Sequence, residues 1–283
     1  MIRNSQIRKQ ENIGWSIQDY DPDPLLAPFI YRLYILKGKP DPSIQHEIWI
    51  PSGTVEVVFD LEAPFEQATV GQILETRPSA FVTGLFEKCL LLRPTGSVYQ
   101  VGVVFKTGKF RHFSGVSNGD IKGSIISIED IFGASGLEVQ DQLARTSSDQ
   151  EKIDHLQSFL QERLNDAEFL DNPFISYCID TIKQHHGFLP IASLSKKSHI
   201  SDRHFRRIFK EYTGITPKKY ARFIRLLSLI KDKRRADTRP SVLAEDLGFY
   251  DASHVYHEFK KVTGMIPQQY IESKQPLADL FFQ

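Results

Sequence analysis

The sequence predicts an α+β protein. A small β-sandwich or barrel-like unit with helices behind it precedes an all-α unit that holds two helix-turn-helix segments. Three observations carry this. Turn residues cut the first 115 or so residues into short runs of alternating polarity, helical spacing takes over from Gly108, and twenty residues near the C-terminus recur fifty positions later. The length of 283 residues suits two units, since single domains usually span about 100–200 residues.

The β region reads as short strands. Phe29 to Leu36, Thr54 to Leu61 and Ser97 to Phe105 are rich in β-branched and aromatic residues. In the second run Val55, Val57, Phe59 and Leu61 alternate with Glu56, Val58 and Asp60. Turn signals at Pro22 to Pro24, Gly38 to Pro42, Pro51 to Gly53, Pro78 and Pro94 to Gly96 divide the stretch into about seven to nine strands. Behind them, Ser148 to Glu151 forms a capping box. Ile153, Leu156, Phe159, Leu160 and Leu164 then make the apolar stripe of a helix expected to link the two units, with a shorter partner near Leu137 to Leu143. The expected boundaries are a sensing or oligomerising β unit over 1–147, a linker helix over 148–171, a DNA-binding unit over 172–275 and a tail over 276–283.

The repeat sets Ser201 to Tyr220, SDRHFRRIFKEYTGITPKKY, against Asp251 to Tyr270, DASHVYHEFKKVTGMIPQQY. His204/His254, Phe209/Phe259, Lys210/Lys260, Thr213/Thr263, Gly214/Gly264, Pro217/Pro267 and Tyr220/Tyr270 fall in register, so each copy is one supersecondary unit. A short helical segment and a tight turn precede each copy: Ile191 to Ser198 with His199-Ile200, and Ser241 to Leu247 with Gly248 to Tyr250. Ser201 and Asp251 suit N-caps, and Gly214 and Gly264 suit the left-handed residue past a helix end. Phe205, Ile208, Phe209 and Tyr212 form a core-facing stripe, as do Val255, Phe259 and Val262. The opposite faces present Arg203, Arg206 and Arg207, then Ser253, Tyr256 and His257, at the spacing that brings three side chains together. Arginines there suit guanine edges and phosphates. Ser201, Lys210 and Lys260 are candidate phosphate contacts. Between the copies, Thr216 caps a helix that starts at Pro217 and runs to about Arg235. Its length of roughly 27 Å makes it a spacer, and two recognition helices at its ends would enter successive major-groove faces about one turn, roughly 34 Å, apart.

Over residues 172 to 275 the chain resembles the AraC/XylS family of bacterial transcription regulators. The resemblance rests on ISDRHFRRIFKEYTGITPKKY and LAEDLGFYDASHVYHEFKKVTGMIPQQY. It implies a seven-helix module opening at Asn172-Pro173 and closing with a short helix from Pro267, with the six residues above facing bases. Ser195 stands where the family usually has alanine, the turn His199-Ile200 lacks the usual glycine, and Val255 and His257 replace a common phenylalanine and arginine. The β region is similar to a little-characterised domain found ahead of such modules, through IWIPSGTVEVVFDL, FVTGLF, GSVYQVGVVFKTGKF and SIEDIFG. That similarity implies a cupin-like β-fold.

Charge agrees with a division of labour. The zero net charge is a cancellation: residues 172 to 275 hold 19 Lys+Arg against 10 Asp+Glu, and residues 1 to 171 hold 16 against 24. The basic part has the electrostatic footprint of a phosphate binder, and the acidic part should avoid DNA. Two distant cysteines, Cys89 and Cys178, give no disulfide framework and point to a reducing cytoplasm. The polar start MIRNSQIRKQENIGW does not read as a signal peptide, and no apolar run approaches the roughly 20 residues of a membrane helix.

A cupin-type metal site would draw on His46, Glu47, Glu56 and His112, which lack HxH spacing, so no metal or other cofactor is expected. An effector pocket in the β region would be lined by aromatic residues, with Trp49, Phe59 and Glu56 its leading candidates. No catalytic triad, phosphate loop or paired carboxylate stands out. The expected function is sequence-specific binding of double-stranded DNA in transcription regulation, controlled by a ligand or by dimerisation. A small-molecule effector, a second copy of the chain and RNA polymerase are the further candidate partners. Two alternatives stay open: a repair or other enzyme with an AraC-like appendage, and an architectural DNA binder without an effector.

Overall fold

The computed structural model describes residues 8–12, 14–41, 43–44, 46–50, 53–69, 71–164, 172–197, 200–231 and 252–273. The strands, in chain order, are β1 (Arg8–Asn12), β2 (Trp15–Tyr20), β3 (Ile30–Gly38), β4 (Glu47–Trp49), β5 (Glu56–Asp60), β6 (Phe65–Thr69), β7 (Glu75–Thr76), β8 (Ala80–Thr83), β9 (Leu90–Pro94), β10 (Val98–Phe105) and β11 (Ile125–Ser127). They form one sheet ordered β1-β2-β3-β10-β5-β8-β11 and a second ordered β4-β9-β6-β7. Every described pairing is antiparallel. Strands exceed the expected number because pieces as short as β4 and β7 are too brief to show alternation.

Alternation along the long strands decides which side chain faces which layer. On β3, Tyr34 and Leu36 point into the core between the sheets, where they meet Trp15, Phe65, Leu90 and Leu92. Leu33 and Ile35 point to the other face, which packs on helices. Gly102 of β10 lies under the Tyr34 ring, where an added Cβ would come within 2.2 Å of it. The helices covering that outer face are α1 (Arg111–Ser114), α2 (Ile128–Phe132), α3 (Ala134–Arg145) and α4 (Asp149–Arg163). Ser148 caps α4 by accepting from the Glu151 amide at 3.4 Å. The helix expected as a linker thus packs Ile153, Leu156, Phe159 and Leu160 into the β unit's own core. Residues 165–171 of the expected linker lie outside the described residues.

The C-terminal helices are α5 (Pro173–Gln184), α6 (Ile191–Lys197), α7 (Asp202–Thr213), α8 (Pro217–Lys231), α9 (Ala252–Thr263) and α10 (Pro267–Glu272). Asn172 caps α5 by accepting from the Ile175 amide at 3.1 Å, with Pro173 at the first helical position. Thr216 caps α8 by accepting from the Lys219 amide at 3.4 Å. The turn residue His199, the end of the spacer past Lys231, the segment from Ser241 to Tyr250 and the cap Asp251 lie outside the described residues. Among the described residues, no helix is long and apolar enough to cross a membrane.

Candidate nucleic-acid interface and its support

The repeat seen in the sequence is also a repeat of bonds. Gly214 and Gly264 each take a left-handed φ, +84° and +78°, and their amides donate to Lys210 and Lys260 carbonyls at 2.8 Å in both units. In both, the threonine before the glycine donates its hydroxyl to a carbonyl one turn earlier at 2.8 Å: Thr213 to Phe209, Thr263 to Phe259. The same hydroxyls accept from the Ile215 and Met265 amides at 3.3 and 3.1 Å. These bonds close each helix end and fix the exit of the chain toward the next helix. Ring contacts repeat too, with Phe209–Tyr220 centroids 5.8 Å apart and Phe259–Tyr270 centroids 5.7 Å apart.

In the first unit Ser201 accepts from the His204 amide at 3.2 Å, so α7 begins where its polarity pattern requires. Phe205, Phe209 and Tyr212 are buried, which leaves Arg203, Arg206 and Arg207 exposed on the opposite side. Arg207 is engaged within its own helix: it donates to Glu211 at 2.7 Å and lies 3.3 Å from the Nδ1 of His204. Glu211, one turn further along the same face, was missed by sequence reasoning, although its spacing from Arg207 could have flagged it. An exposed pair of this kind is worth about 0.3–0.5 kcal/mol. Ser195, in the position of the family's alanine, is buried and bonds Asp202 across the turn, tying α6 to α7.

In the second unit Ser253 and His257 are exposed and Tyr256 is half-buried. Lys210 and Lys260, the candidate phosphate contacts, are exposed at matching positions, as is Ser201.

The β unit grips both halves of this module. Ile48, Ile50 and Cys89 share one buried core with Ile175, Phe209 and Tyr220. The Tyr220 hydroxyl lies 3.2 Å from Thr107 Oγ1, and Asn118 donates to the Tyr212 carbonyl at 3.3 Å. Gly108 accommodates the Tyr212 ring, which an added Cβ would approach to 2.1 Å. The second unit is held by the Cys89 amide, which donates to the Val262 carbonyl at 2.8 Å. Burial pushes both thiols, Cys89 and Cys178, up to about 12, so neither supplies a thiolate at neutral pH.

Of the three effector-pocket candidates, the structure brings together Trp49 and Glu56 but not Phe59. Trp49 and Glu56 line a cavity between the sheets, with Tyr34, Phe81, Arg77 and Gln100. Phe59 is one strand position out of phase and lies in the core on the helix side of the sheet. Grouping it with Glu56 is corrected by the alternation of β5. The cavity is about 30 Å³. A water needs about 10–15 Å³ on such a measure, so there is room for one or two waters and not for an organic effector. Burial raises the Glu56 carboxyl to about 7, with Arg32 and Arg77 drawing it back. Arg77 bonds Asp60 at 3.3 Å and sits 4.5 Å from the centres of the Phe65 and Phe81 rings.

His112 packs against Phe29 on the helix side, with 4.9 Å between ring centres, and therefore across the sheet from Glu56. Among the described residues, no group of three or more His, Cys, Asp or Glu side chains is placed to hold a metal ion.

A family described as a helix-turn-helix domain matches residues 194–273, and a domain of unknown function (DUF6597) matches residues 18–127. No curated protein matches the chain significantly. Similar solved structures include ToxT from Vibrio cholerae O395, at 12% identity and TM-score 0.44 over 82% of this chain and 98% of that one. Unsaturated fatty acid-bound wild-type ToxT from V. cholerae strain SCE256 is similar at 13% identity and TM-score 0.41, over 93% of this chain and 97% of that one. The AraC-like transcriptional activator CuxR is similar at 8% identity and TM-score 0.24, over 94% and 83%.

Proposed function

We propose that this chain, which carries an AraC-type helix-turn-helix domain behind a mostly β domain, regulates transcription by reading two adjacent major-groove segments of duplex DNA. The observation that carries the reading is the duplicated, identically closed helix with exposed basic residues on one side: Arg203, Arg206 and Arg207 on α7 and Lys260 on α9. In this reading Arg203, Arg206 and Arg207 supply most of the discrimination, and Ser253, Tyr256 and His257 add a weaker second reading. Ser201, Lys210 and Lys260 contact phosphates. Control enters through the β domain, by a ligand, by pairing of two copies, or by both, and RNA polymerase is the partner at the promoter. The repair-enzyme alternative would need a reactive cysteine, and Cys89 and Cys178 are both buried.

Selection of bound duplexes from a randomised pool tests this. The expected result is a bipartite motif whose halves lie about 10 bp apart. Recovery of random sequence at the same affinity would make the protein a non-specific binder and overturn the reading.

A further inference from the structure

Three polar side chains form a ladder along the exposed face of α7. Arg207 donates from Nη1 to Oε1 of Glu211 at 2.7 Å, and its Nη2 lies 3.3 Å from Nδ1 of His204. The two partners stand four residues on and three residues back, so all three side chains share one side of the helix, with Arg203 a further turn behind Arg207. The guanidinium is tethered at both ends.

Helix stability does not account for the carboxylate. Glu211 lies in the last turn of α7, which ends at Thr213, and an acid beside the C-terminal carbonyls of a helix is unfavourable. An arginine placed N-terminal to its carboxylate is also the weaker order for such a pair. The pair is 57% and 59% exposed, so its attraction does no more than offset the helix-end penalty. A negative charge on a face turned toward phosphates is a second penalty. The other unit shows what those constraints favour: Lys261 holds the matching position of α9, and His257 the position of Arg207, both of them exposed. The carboxylate accompanies the arginine, and in α9 both are replaced.

We infer that Glu211 is a positioning residue for base reading: with His204 as the second tether, it holds the Arg207 guanidinium toward one guanine and lowers affinity for DNA that lacks it. A guanidinium has five N–H groups, and the two tethers use one on Nη1 and one on Nη2, which leaves three, enough for the bidentate contact to guanine O6 and N7. An untethered arginine would spend rotamer entropy on that contact and would pair as readily with any phosphate. On a wrong sequence Glu211 competes with the phosphate for Arg207, and an unfavourable charge set against the wrong partner is one way to gain specificity. The inference rests on the regulator reading above and deepens it by naming what fixes the Arg207 contact.

Competition binding by the full-length protein tests it, using the selected duplex, the same duplex with each G·C pair replaced in turn by A·T, and random duplex. Glu211→Gln should bind random duplex more tightly and lose about three- to tenfold of the preference for guanine at one position, part of the discrimination a bidentate contact supplies. Glu211→Asp keeps the charge but withdraws the carboxylate by one methylene, so it should lose that preference as well. In an Arg207→Ala background, where the preference is already gone, Glu211→Gln should change it no further. A preference kept in Glu211→Gln would overturn the inference, and so would one kept in Glu211→Asp, which would make the effect one of charge and not of position. A further loss in the Arg207→Ala background would overturn it too, because Glu211 would then act without Arg207. A lower melting temperature for Glu211→Gln would assign the carboxylate to helix stability and overturn it likewise. Sequence preference that is indifferent to Glu211 would sink this role and leave the regulator reading standing. Absence of any sequence preference in the wild-type protein would sink that reading itself.

Discussion

Glu56 offers a quantitative test of how the β domain is built. Its side chain is 6% exposed in a cavity the size of one or two waters, and its carboxyl is raised from 4.5 to about 7 by burial against the pull of Arg32 and Arg77. A carboxyl raised on folding contributes stability that is fully present below its unfolded pKa and is lost as pH rises through its folded pKa. The window therefore runs from about pH 4.5 to about pH 7. At about 1.4 kcal/mol per unit, the shift corresponds to a ceiling of roughly 3 kcal/mol lost across it. Glu56→Gln keeps the shape and removes the titration. Any constant difference between amide and acid cancels when the two proteins are compared at two pH values. Urea unfolding at pH 5 and pH 8 should show the variant gaining on the wild type by up to about 3 kcal/mol at the higher pH. A wild-type-to-variant difference that stays flat between those values would mean that Glu56 does not titrate as a buried acid, and the description of the cavity as confined would fall with it.

The remaining predictions concern the DNA module and its anchoring. Arg207→Ala should cost about 1–3 kcal/mol on the selected duplex and little on random duplex, and Tyr256→Ala should cost less; a reversed order in competition binding would transfer the discrimination to the second unit. Lys210→Gln and Lys260→Gln should weaken all duplexes alike, each reducing the slope of log affinity against log salt by about 0.9; an unchanged slope would remove that lysine from the phosphate contacts. Tyr220→Phe deletes the hydroxyl that meets Thr107 at 3.2 Å and leaves the ring packing, so it should lower unfolding stability by about 1 kcal/mol. A neutral effect in thermal or urea unfolding would show that this bond does not anchor the joint.

The parts of the fold legible in the sequence are those encoded locally. Ser201, Thr216 and Ser148 accept the cap bonds their spacing predicted, and Gly214 and Gly264 take the left-handed conformation that ends a helix. Those signals need only a few neighbouring residues. Phe59 teaches a different lesson, because the information that separates it from Glu56 was present in the sequence. Alternation along Val55 to Leu61 puts odd and even positions on opposite faces, so no pocket on one face of the sheet can hold both. A cleft at the domain joint could not be read at all. Its residues come from positions 53, 85–88, 215–226 and 261–262, and nothing in any one segment says that it meets the others.

The way the β domain holds the module also bears on regulation. Its contacts are distributed over both reading units: Thr107 and Asn118 reach Tyr220 and Tyr212 beside the first, and Cys89 reaches Val262 at the end of the second. A recognition helix must sit in its groove to within the reach of a hydrogen bond, and two units must do so at a fixed separation. A domain touching only one unit could change its affinity, but a domain touching both can change the separation itself. The same joint holds a shared core that contains Ile48, Ile50 and Cys89, and close-packed interiors transmit displacement instead of absorbing it. In the regulator proposed above, the element through which the β domain would bias DNA reading is this joint, and a signal acting there need not move either recognition helix relative to its own unit.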